Sequence, residues 1–368
     1  MAVGIIAEYN PFHKGHLYHL AKTKESFPNE PVIIAISGDF VARGEPAIAP
    51  ASIRAKWALD AGANLVVELP SVFVLQNANV FAREMIRLLS SFSISHLSFG
   101  AMRTLDDLLS MRDEEETKKD SIERIIRRER KNGASLPQAY AQARKEALRS
   151  MLRLDPNDLL ALMYLKYLPS KVMPYAVTRI GASHDSQDHD AYPSALKIRR
   201  DLLMGKMPDL PEDVKNDLIG RPLFSQDHVI PLLKYSLAFD SDDPSILHYE
   251  NGLADRLRKT EADTFDAWVL KASSKRYTHS RIRRYIYARL ANLRPVYDDE
   301  IYTRVLAMDA IGRRLLKNTS AHMITHGKSI GTHRDSPTVQ AMLRTSFLSD
   351  ILLERPVGSI YRTQPIVK

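Results

Sequence analysis

Short β-branched runs alternate with helical patterns over the first hundred residues, and this alternation leaves the chain few possible folds. The runs that predict buried strands are Val3–Ala7, Val32–Ser37, Leu65–Leu69 and His96–Phe99. The segments between them with apolar residues at three- and four-residue spacing lie around His16–Ser26, Ser52–Ala61 and Val80–Phe92. Strands that alternate with helices favour a parallel α/β sheet with right-handed crossovers. Ligands of such sheets bind beyond the carboxyl ends of the strands, so we expect the site in the loops that follow these runs.

The rest of the chain predicts a second, mainly helical unit. A helical and highly charged pattern runs from about Thr104 to Leu168, a further strand is predicted at Tyr175–Ile180, and a helix at Ser194–Leu203. Several prolines between Pro208 and Pro222 are typical of a linker. We therefore predict a Rossmann-like parallel-sheet domain over residues 1–210. A mainly α-helical C-terminal domain is expected over residues 211–368.

Composition narrows the class of protein further. The 368 residues include no cysteine, which excludes a disulfide framework, a thiolate zinc site and a cysteine nucleophile. No apolar run reaches the length of about eighteen residues that a membrane span needs. The N-terminus lacks the pattern of a signal peptide, so we expect a cytoplasmic protein. The formal net charge of +8 favours a polyanionic partner such as nucleic acid, because Lys and Arg release counterions when they bind phosphates.

The strongest single signal is the segment Ile5-Ile6-Ala7-Glu8-Tyr9-Asn10-Pro11-Phe12-His13-Lys14-Gly15-His16. It predicts a strand, a tight loop and the start of a helix. Gly15 lets a phosphate approach the backbone, where a side chain would clash. His16 falls in the first helical turn, where free N–H groups and the helix dipole attract anions. Two imidazoles at this point can donate hydrogen bonds to an α-phosphate whose charge grows in the transition state.

Two other interpretations of His13 and His16 are ordinary surface histidines and metal ligands. The strand before the motif and the helix after it favour the nucleotide interpretation. The sequence contains neither a Gly-x-x-x-x-Gly-Lys-Ser/Thr loop nor a Gly-x-Gly-x-x-Gly element. These absences argue against a P-loop enzyme and against a dinucleotide site.

The His-x-Gly-His element resembles the signature of the nucleotidyltransferase superfamily, which includes class I aminoacyl-tRNA synthetases and adenylyltransferases of cofactor synthesis. The resemblance implies that residues 1–210 form a nucleotidyltransferase domain that binds ATP. Members usually carry a second element, Ser-Ser-Thr-x-Ile-Arg or a relative, that contacts the triphosphate. Here Ser194-Ala195-Leu196-Lys197-Ile198-Arg199 lies at a suitable place, with Leu196 instead of threonine. A surface helix with a basic face is the alternative.

Further stretches resemble one family within that superfamily. They are Glu8 to His19, Ser37-Gly38-Asp39-Phe40, Arg43-Gly44-Glu45-Pro46-Ala47, Leu65 to Pro70, Leu97-Ser98-Phe99-Gly100, Tyr164-Leu165-Lys166 and Ser274-Lys275-Arg276-Tyr277-Thr278. Together they look like the bacterial tRNA(Met) cytidine acetate ligases. The resemblance implies an enzyme that uses ATP and acetate to convert the wobble cytidine of elongator tRNA(Met) into N4-acetylcytidine. Acetate would attack the α-phosphate to give acetyl-adenylate, whose carbonyl the cytidine N4 amine would then attack.

The resemblance also implies which residues bind ATP. They are Ile6, Ala7, Glu8, Tyr9, Asn10, Pro11, Phe12, His13, Lys14, Gly15, His16, Leu17, Tyr18, His19, Gly100, Asn157 and Arg179, to which the second element adds Ser194 and Arg199. Gly100 and Arg179 each end a predicted strand, where bare backbone admits a nucleoside and a guanidinium can fork onto a phosphate. Asn157 precedes an apolar helix, so a plain N-cap is its alternative role.

His13, His16 and Asp39 are the predicted catalytic residues. Asp39 follows the second predicted strand and faces the same crevice, where it could orient the amine or hold the Mg²⁺ expected to accompany ATP. A turn-forming aspartate after glycine is the alternative. Glu45 and Arg54 are lesser candidates.

A basic segment in the C-terminal half predicts contact with tRNA. Between Lys271 and Arg294 there are eight Lys or Arg residues and no acidic residue, with tyrosines interleaved. A basic helix with aromatic side chains suits an RNA backbone and splayed bases. The predicted tRNA contacts are Lys275, Arg276, Tyr277, Arg281, Arg283 and Arg284.

Some features leave other functions open. Ala42 and the stretch Gln76–Asn79 depart from the pattern of the family on the presumed acceptor side. The polar loop His184–Asp190 resembles a metal cluster by residue type. His184-Asp185 matches a position of the family, and the resemblance therefore implies proximity to phosphate instead. The alternative functions are an adenylyltransferase for a small phosphorylated cofactor precursor and a non-catalytic RNA-binding relative.

Overall fold

A computed structural model describes residues 1–148, 154–179, 193–221, 223–224, 226–297 and 299–368. The strands are β1 (Val3–Ala7), β2 (Val32–Ser37), β3 (Phe40–Val41), β4 (Glu45–Pro46), β5 (Leu65–Leu69), β6 (His96–Ala101), β7 (Met173–Thr178), β8 (Tyr302–Met308), β9 (His322–Ile324) and β10 (Ile366–Val367). The helices before β7 are α1 (Lys14–Ser26), α2 (Ala51–Asp60), α3 (Ser71–Val74), α4 (Ala78–Ser90), α5 (Leu105–Thr117), α6 (Lys119–Lys131), α7 (Leu136–Ala147) and α8 (Pro156–Tyr167). The helices after β7 are α9 (Ala195–Leu203), α10 (Glu212–Leu218), α11 (Val229–Phe239), α12 (Asn251–Arg258), α13 (Phe265–Ala272), α14 (His279–Leu290), α15 (Ala310–Leu315), α16 (Gly327–Thr332), α17 (Pro337–Leu352) and α18 (Ser359–Arg362).

The central sheet has five parallel strands in the order β5-β2-β1-β6-β7. This is the α/β fold that the sequence predicts, and β1, β2 and β5 have the predicted bounds. The strands are apolar along their length because helices cover both faces of a parallel sheet. Leu20 and Trp57 pack on one face, and Val72, Phe81 and Met85 pack on the other.

The strand order reverses between β1 and β6. The chain passes outward from β1 through β2 to β5, and then crosses back to place β6 on the other side of β1. A crevice opens at such a reversal, because the connections that leave the two neighbouring strands turn in opposite directions. The motif segment follows β1, and Gly100 lies near the end of β6, so both reach this crevice.

Three strands after residue 300 also join the sheet. β8 pairs antiparallel with β5, and β9 and β10 each pair parallel with β8. The sequence predicts helices here and misses these strands. β8 carries the charge of Arg304 in its middle, so it does not appear as an apolar run; the guanidinium is buried against Glu68 of β5 at 3.1 Å. The sheet therefore contains strands from both sides of the predicted boundary near residue 210.

Candidate functional site

A cleft of about 1110 Å³ lies at the carboxyl ends of β1 and β6. Its floor is the motif segment, and β6, β7, the helices α5 to α8 and the start of α9 form its walls. The predicted nucleotide contacts that line it are Ile6, Ala7, Glu8, Tyr9, Asn10, His13, Gly15, His16, Tyr18, His19, Gly100, Asn157, Arg179, Ser194 and Arg199. Pro11, Phe12, Lys14 and Leu17 belong to the same segment and lie outside the lining. The structure thus brings together residues that are almost two hundred positions apart in the chain.

The two motif histidines are held by hydrogen bonds to backbone amides. His13 is the N-cap of α1, and its Nδ1 accepts from the Gly15 N–H at 3.1 Å. The backbone N–H of His13 donates to His16 Nδ1 at 3.3 Å, and the two rings stack with centroids 3.7 Å apart. In a neutral imidazole whose Nδ1 accepts, the proton is on Nε2. Each ring therefore has its Nε2–H free to donate to a ligand.

Burial keeps both of these rings neutral. It lowers the pKa of His13 to about 4, and the positive charge of Arg179 contributes in the same direction. The pKa of His16 is lowered well below its ordinary value, by burial first and then by His13 and Arg179. Two neutral donors at a helix N-terminus suit an anionic ligand, since they add no charge that would have to be desolvated.

His19 presents the opposite polarity. The Thr23 hydroxyl donates to the His19 carbonyl at 2.9 Å, so its oxygen accepts from Ser98 at 2.7 Å. The Ser98 oxygen then accepts from His19 Nε2–H at 2.9 Å, which leaves Nδ1 of His19 as an acceptor. Burial, with Arg179, lowers the pKa of His19 to about 4. The motif thus combines two outward donors with one acceptor.

Arg179 and Asn157 meet on the opposite wall of the cleft. Arg179 follows β7, and its Nη1 donates to Asn157 Oδ1 at 3.2 Å. Asn157 is not the N-cap of α8, because Asp155 takes that position and accepts the Asn157 N–H at 2.8 Å. Gly100 lies beside them, and a Cβ there would be in van der Waals contact, at 3.4 Å, with Cγ of the Arg179 side chain.

The second predicted element is a helix start that contacts the motif loop. Ser194 caps α9 by accepting from the Lys197 N–H at 3.3 Å. Arg199, one turn further along, donates from Nη1 to the Asn10 carbonyl at 2.8 Å. Its Nη2 lies 3.8 Å from a carboxylate oxygen of Glu45. Burial lowers the pKa of Arg199.

Asp39 does not reach the cleft. It is 8% exposed and lies outside the lining, in a group of buried charges below the hairpin of β3 and β4. Burial raises the pKa of Asp39, against the lowering effect of Arg304, Arg355 and Arg54. Arg54 is itself fully buried and donates to the carbonyls of Glu8 and Ser37. Arg54 therefore holds the ends of the strands, and neither Asp39 nor Arg54 lines the cleft.

The basic helix α14 packs against the hairpin of β3 and β4. Arg283 donates to Glu45 at 2.7 Å, and Arg284 donates to the Ala42 carbonyl at 3.2 Å. Arg276 and Arg281 both pair with Glu250. The segment has no acidic residues of its own, and the carboxylates that pair with its arginines come from other parts of the chain.

The tyrosines of this segment pack in the core. Tyr277, Tyr285 and Tyr287 are buried, and Tyr277 donates its hydroxyl to Glu250 at 2.9 Å. This corrects the interpretation of them as exposed rings on which bases could stack. Lys275 and Arg276 are the exposed cations of the predicted set. Arg276, Arg281 and Arg284 line the rim of the cleft.

The sequence-based expectations on a metal site and on membrane spans concern other parts of the chain. The loop His184–Asp190 lies outside the described residues. Within the described ranges, no group of three or more His, Cys, Asp or Glu residues could hold a metal ion. Every helix in those ranges is too short or too polar to cross a membrane.

The chain is similar to known proteins along its whole length. A family model described as HIGH Nucleotidyl Transferase matches residues 1–354. A tRNA(Met) cytidine acetate ligase of Geobacillus sp. is 30% identical in an alignment of 404 positions that covers 100% of each chain. The ligase of the same name from Listeria welshimeri is 34% identical and covers 88% of each chain.

Two solved structures have the same fold. Thermotoga maritima TmcAL bound with alpha-thio ATP matches with a TM-score of 0.85 and 23% identity, over 100% of this chain and 99% of that one. The apo form of that protein matches with a TM-score of 0.85 and 24% identity, over the same shares.

Proposed function

Because this chain belongs to the HIGH nucleotidyl transferases, and within them to the tRNA(Met) cytidine acetate ligases, we propose that it acetylates N4 of the wobble cytidine of elongator tRNA(Met). ATP and acetate are the co-substrates, and AMP and pyrophosphate are the products. Acetyl-adenylate is the intermediate that links the two half-reactions. The enzyme is a ligase.

The observation that carries this proposal is the pair of neutral histidine donors at the N-terminus of α1. His13 and His16 lie where the strand order reverses, and their Nδ1 atoms are already occupied by backbone amides. A phosphate placed at this helix end would receive the two Nε2–H groups together and would lie at the positive end of the α1 dipole. Charge that develops on the α-phosphate would meet donors that need no rearrangement.

The other walls of the cleft supply the remaining contacts with ATP. Arg179, held by Asn157, would pair with phosphate, and Gly100, which lines the cleft beside it, would contact the nucleoside. Arg199 would reach the triphosphate from α9. The acceptor Nδ1 of His19 would take a hydrogen bond from a ribose hydroxyl or an amino group. These roles are proposals for the individual residues.

Mg²⁺ would enter with the nucleotide. The described residues offer no group of three metal-binding side chains, so a protein cage for the ion does not fit them. Mg²⁺ commonly binds substrate phosphates and water with few protein ligands. When bound in this way, it would neutralise charge on the leaving pyrophosphate.

We propose that tRNA approaches across the rim formed by α14. Lys275 and Arg276 are exposed there and can pair with the RNA backbone. Arg276 also pairs with Glu250, so Lys275 is the more available of the two. Arg281, Arg283 and Arg284 are less exposed and contact Glu250, Glu45 and the Ala42 carbonyl, so their first role is to hold the rim in place. The wobble base would reach the cleft past this rim.

The deciding experiment is a reconstituted reaction. The protein is incubated with ATP, labelled acetate and elongator tRNA(Met), and the digested nucleosides are analysed by mass. We expect N4-acetylcytidine at the wobble position and one AMP for each acetyl group transferred. The control is the same tRNA with uridine at the wobble position, which should remain unmodified. Absence of N4-acetylcytidine with protein that still binds ATP would contradict the proposal.

A further inference from the structure

We propose that Glu8 is the general base that takes the proton from the cytidine amine as it attacks the acetyl group. The inference rests on the proposed function and goes beyond it, because it assigns the second half-reaction to a particular side chain. Glu8 enters the sequence-based prediction only as one member of a nucleotide-binding segment. Its position and hydrogen bonds in the structure suit a different task.

Glu8 lies between the motif histidines and the basic helix. It follows β1 directly and lines the cleft together with His13 and His16. Its Oε1 accepts from the Ala42 N–H at 2.7 Å, and the Ala42 carbonyl accepts from Arg284 of α14 at 3.2 Å. One residue therefore separates the Glu8 carboxylate from the rim across which tRNA would approach. An amine that arrives over this rim meets Glu8 beside the acyl group held at the motif.

The hydrogen bond to Ala42 orients the carboxylate. With Oε1 held by a backbone amide, Oε2 is the oxygen that can turn to a substrate amine. The Arg54 guanidinium donates to the Glu8 carbonyl at 2.6 Å and holds the backbone at this point. A proton acceptor whose side chain and backbone are both held needs little reorganisation during the reaction.

The surroundings of Glu8 make its carboxylate a stronger base than an exposed glutamate. Burial raises the pKa of Glu8, while the Ala42 amide and the charges of Arg199, Arg54 and Arg43 act in the opposite direction. Tyr164 of α8 also interacts with this carboxylate. The nearby histidines are weaker candidates, because burial lowers the pKa values of His13 and His19 to about 4. Efficient general bases have a pKa close to the working pH.

The proposed step balances as follows. The N4 amine of cytidine attacks the carbonyl carbon of acetyl-adenylate, and a C–N bond forms. One amine proton passes to Glu8 Oε2. The bond between the carbonyl carbon and the phosphate oxygen breaks, and AMP leaves with the electron pair. Glu8 then returns its proton to solvent.

The test separates the two half-reactions with the variant Glu8→Gln. Glutamine can still accept the Ala42 N–H through its carbonyl oxygen, so the hairpin keeps its contact. Acetate-dependent exchange of labelled pyrophosphate into ATP reports the first step. Transfer from chemically synthesised acetyl-adenylate to elongator tRNA(Met) reports the second. We expect normal exchange and a transfer rate lower by about 100-fold or more.

Two further variants serve as controls. Glu84→Gln makes the same change at a buried glutamate of α4 that pairs with Arg83 and Arg87, and it should leave both half-reactions unchanged. Glu8→Asp keeps a carboxylate and should retain part of the transfer activity. The transfer rate of the wild type should rise with pH as Glu8 loses its proton, and Glu8→Gln should lack this rise. Equal thermal stability of the variants verifies folding.

Each other outcome has a clear meaning. Wild-type transfer by Glu8→Gln would overturn the proposal. An equal loss of exchange and transfer would overturn it too, because Glu8 would then serve nucleotide binding. If the wild-type protein forms no N4-acetylcytidine, the proposed function itself fails, and this is observed before any variant is compared.

Discussion

At the scale of single residues, the cleft is organised by the tautomers of three histidines. His13 and His16 have Nδ1 occupied and Nε2–H free, whereas His19 has Nε2–H occupied and Nδ1 free. Spacing in the chain produces this difference. His13 and His16 lie at the start of α1, where backbone amides lack helical partners. His19 lies one turn later, where the amides are already bonded and its ring turns to Ser98.

The first prediction separates capping from catalysis at His13. Asparagine is a good N-cap, but its shorter side chain cannot place a donor where His13 Nε2 lies. We expect His13→Asn to keep the thermal stability of the wild type and to slow turnover of ATP about 100-fold or more. His13→Ala should in addition lose about 1 kcal/mol of stability. Full activity of His13→Asn in a pyrophosphate-release assay would exclude the proposed donor role.

The second prediction concerns the pH dependence of stability. His19 has a pKa of about 4 in the folded protein and an ordinary value of 6.5. The unfolded chain therefore binds more protons between these values, and the free energy of unfolding falls as the pH drops from 7 towards 4. His19 contributes roughly 1–2 kcal/mol to this fall at pH 5.

Urea unfolding at pH 7 and pH 5 measures the effect. The difference in unfolding free energy between the two pH values should be smaller in His19→Asn than in the wild type. Buried acids also contribute to the pH dependence, with the opposite sign. Burial raises the pKa of Glu68 to about 7, for example. These contributions are the same in the variant and the wild type, so they cancel when the two proteins are compared. An unchanged difference would show that His19 is not buried in its neutral form.

At the scale of elements, the hairpin of β3 and β4 connects the cleft to the basic helix. Ala42 binds Glu8 through its amide and Arg284 through its carbonyl, and Glu45 lies between Arg199 and Arg283. The hairpin therefore contacts the motif, α9 and α14 together. If α14 moved, the hairpin would transmit the movement to the residues of the cleft that it contacts.

The third prediction tests the packing of this hairpin. Gly44 has a φ of +77°, and a Cβ there would lie 2.8 Å from both the backbone nitrogen and Cγ of Arg284. Gly133 has a similar φ of +84°, with no described atom within 4 Å of the Cβ position. Both alanine variants share the backbone strain, but only Gly44→Ala meets α14. We expect Gly44→Ala to cost about 1–3 kcal/mol more than Gly133→Ala in urea unfolding. Equal decreases in the free energy of unfolding would mean that α14 can shift away from the new methyl group at little cost.

At the scale of the whole molecule, the two halves share one sheet. β8 covers the edge of β5, and the Arg304–Glu68 pair is buried between these strands. Without β8, the edge of β5 would be open and Glu68 would lose its partner. The sheet thus depends on strands from both sides of residue 210. The division into a catalytic domain and a tRNA-binding domain at this residue remains a prediction.

The fourth prediction follows from this shared sheet. A chain that ends at residue 297 lacks β8, β9 and β10, and we expect it to be poorly soluble and to unfold without a cooperative transition. A chain that ends at Gln364 lacks only β10 and should keep a cooperative transition. Circular dichroism during heating measures both. A cooperative transition in the shorter chain would show that residues 1–297 fold independently.

Sequence patterns were sufficient where the determinants are local. The bounds of β1, β2 and β5 follow from continuous apolar runs, since both faces of these strands are covered. The place of the motif follows from a strand, a loop and a helix that are adjacent in the chain. The sequence did not predict the strand β8 or the acidic partners of Arg281 and Arg283. The carboxylates that pair with Arg304 of β8 and with these two arginines lie far away in the sequence.

By itself, the sequence determined the parallel sheet, the histidine motif at its centre and the family, because all three depend on neighbouring residues and their spacing. Only the tertiary structure decided which polar groups face the cleft. It placed Asp39 among buried arginines, turned the tyrosines of α14 into the core and brought Glu8 between the motif and the basic rim. Such outcomes depend on desolvation and on partners from distant segments, which spacing along the chain does not encode.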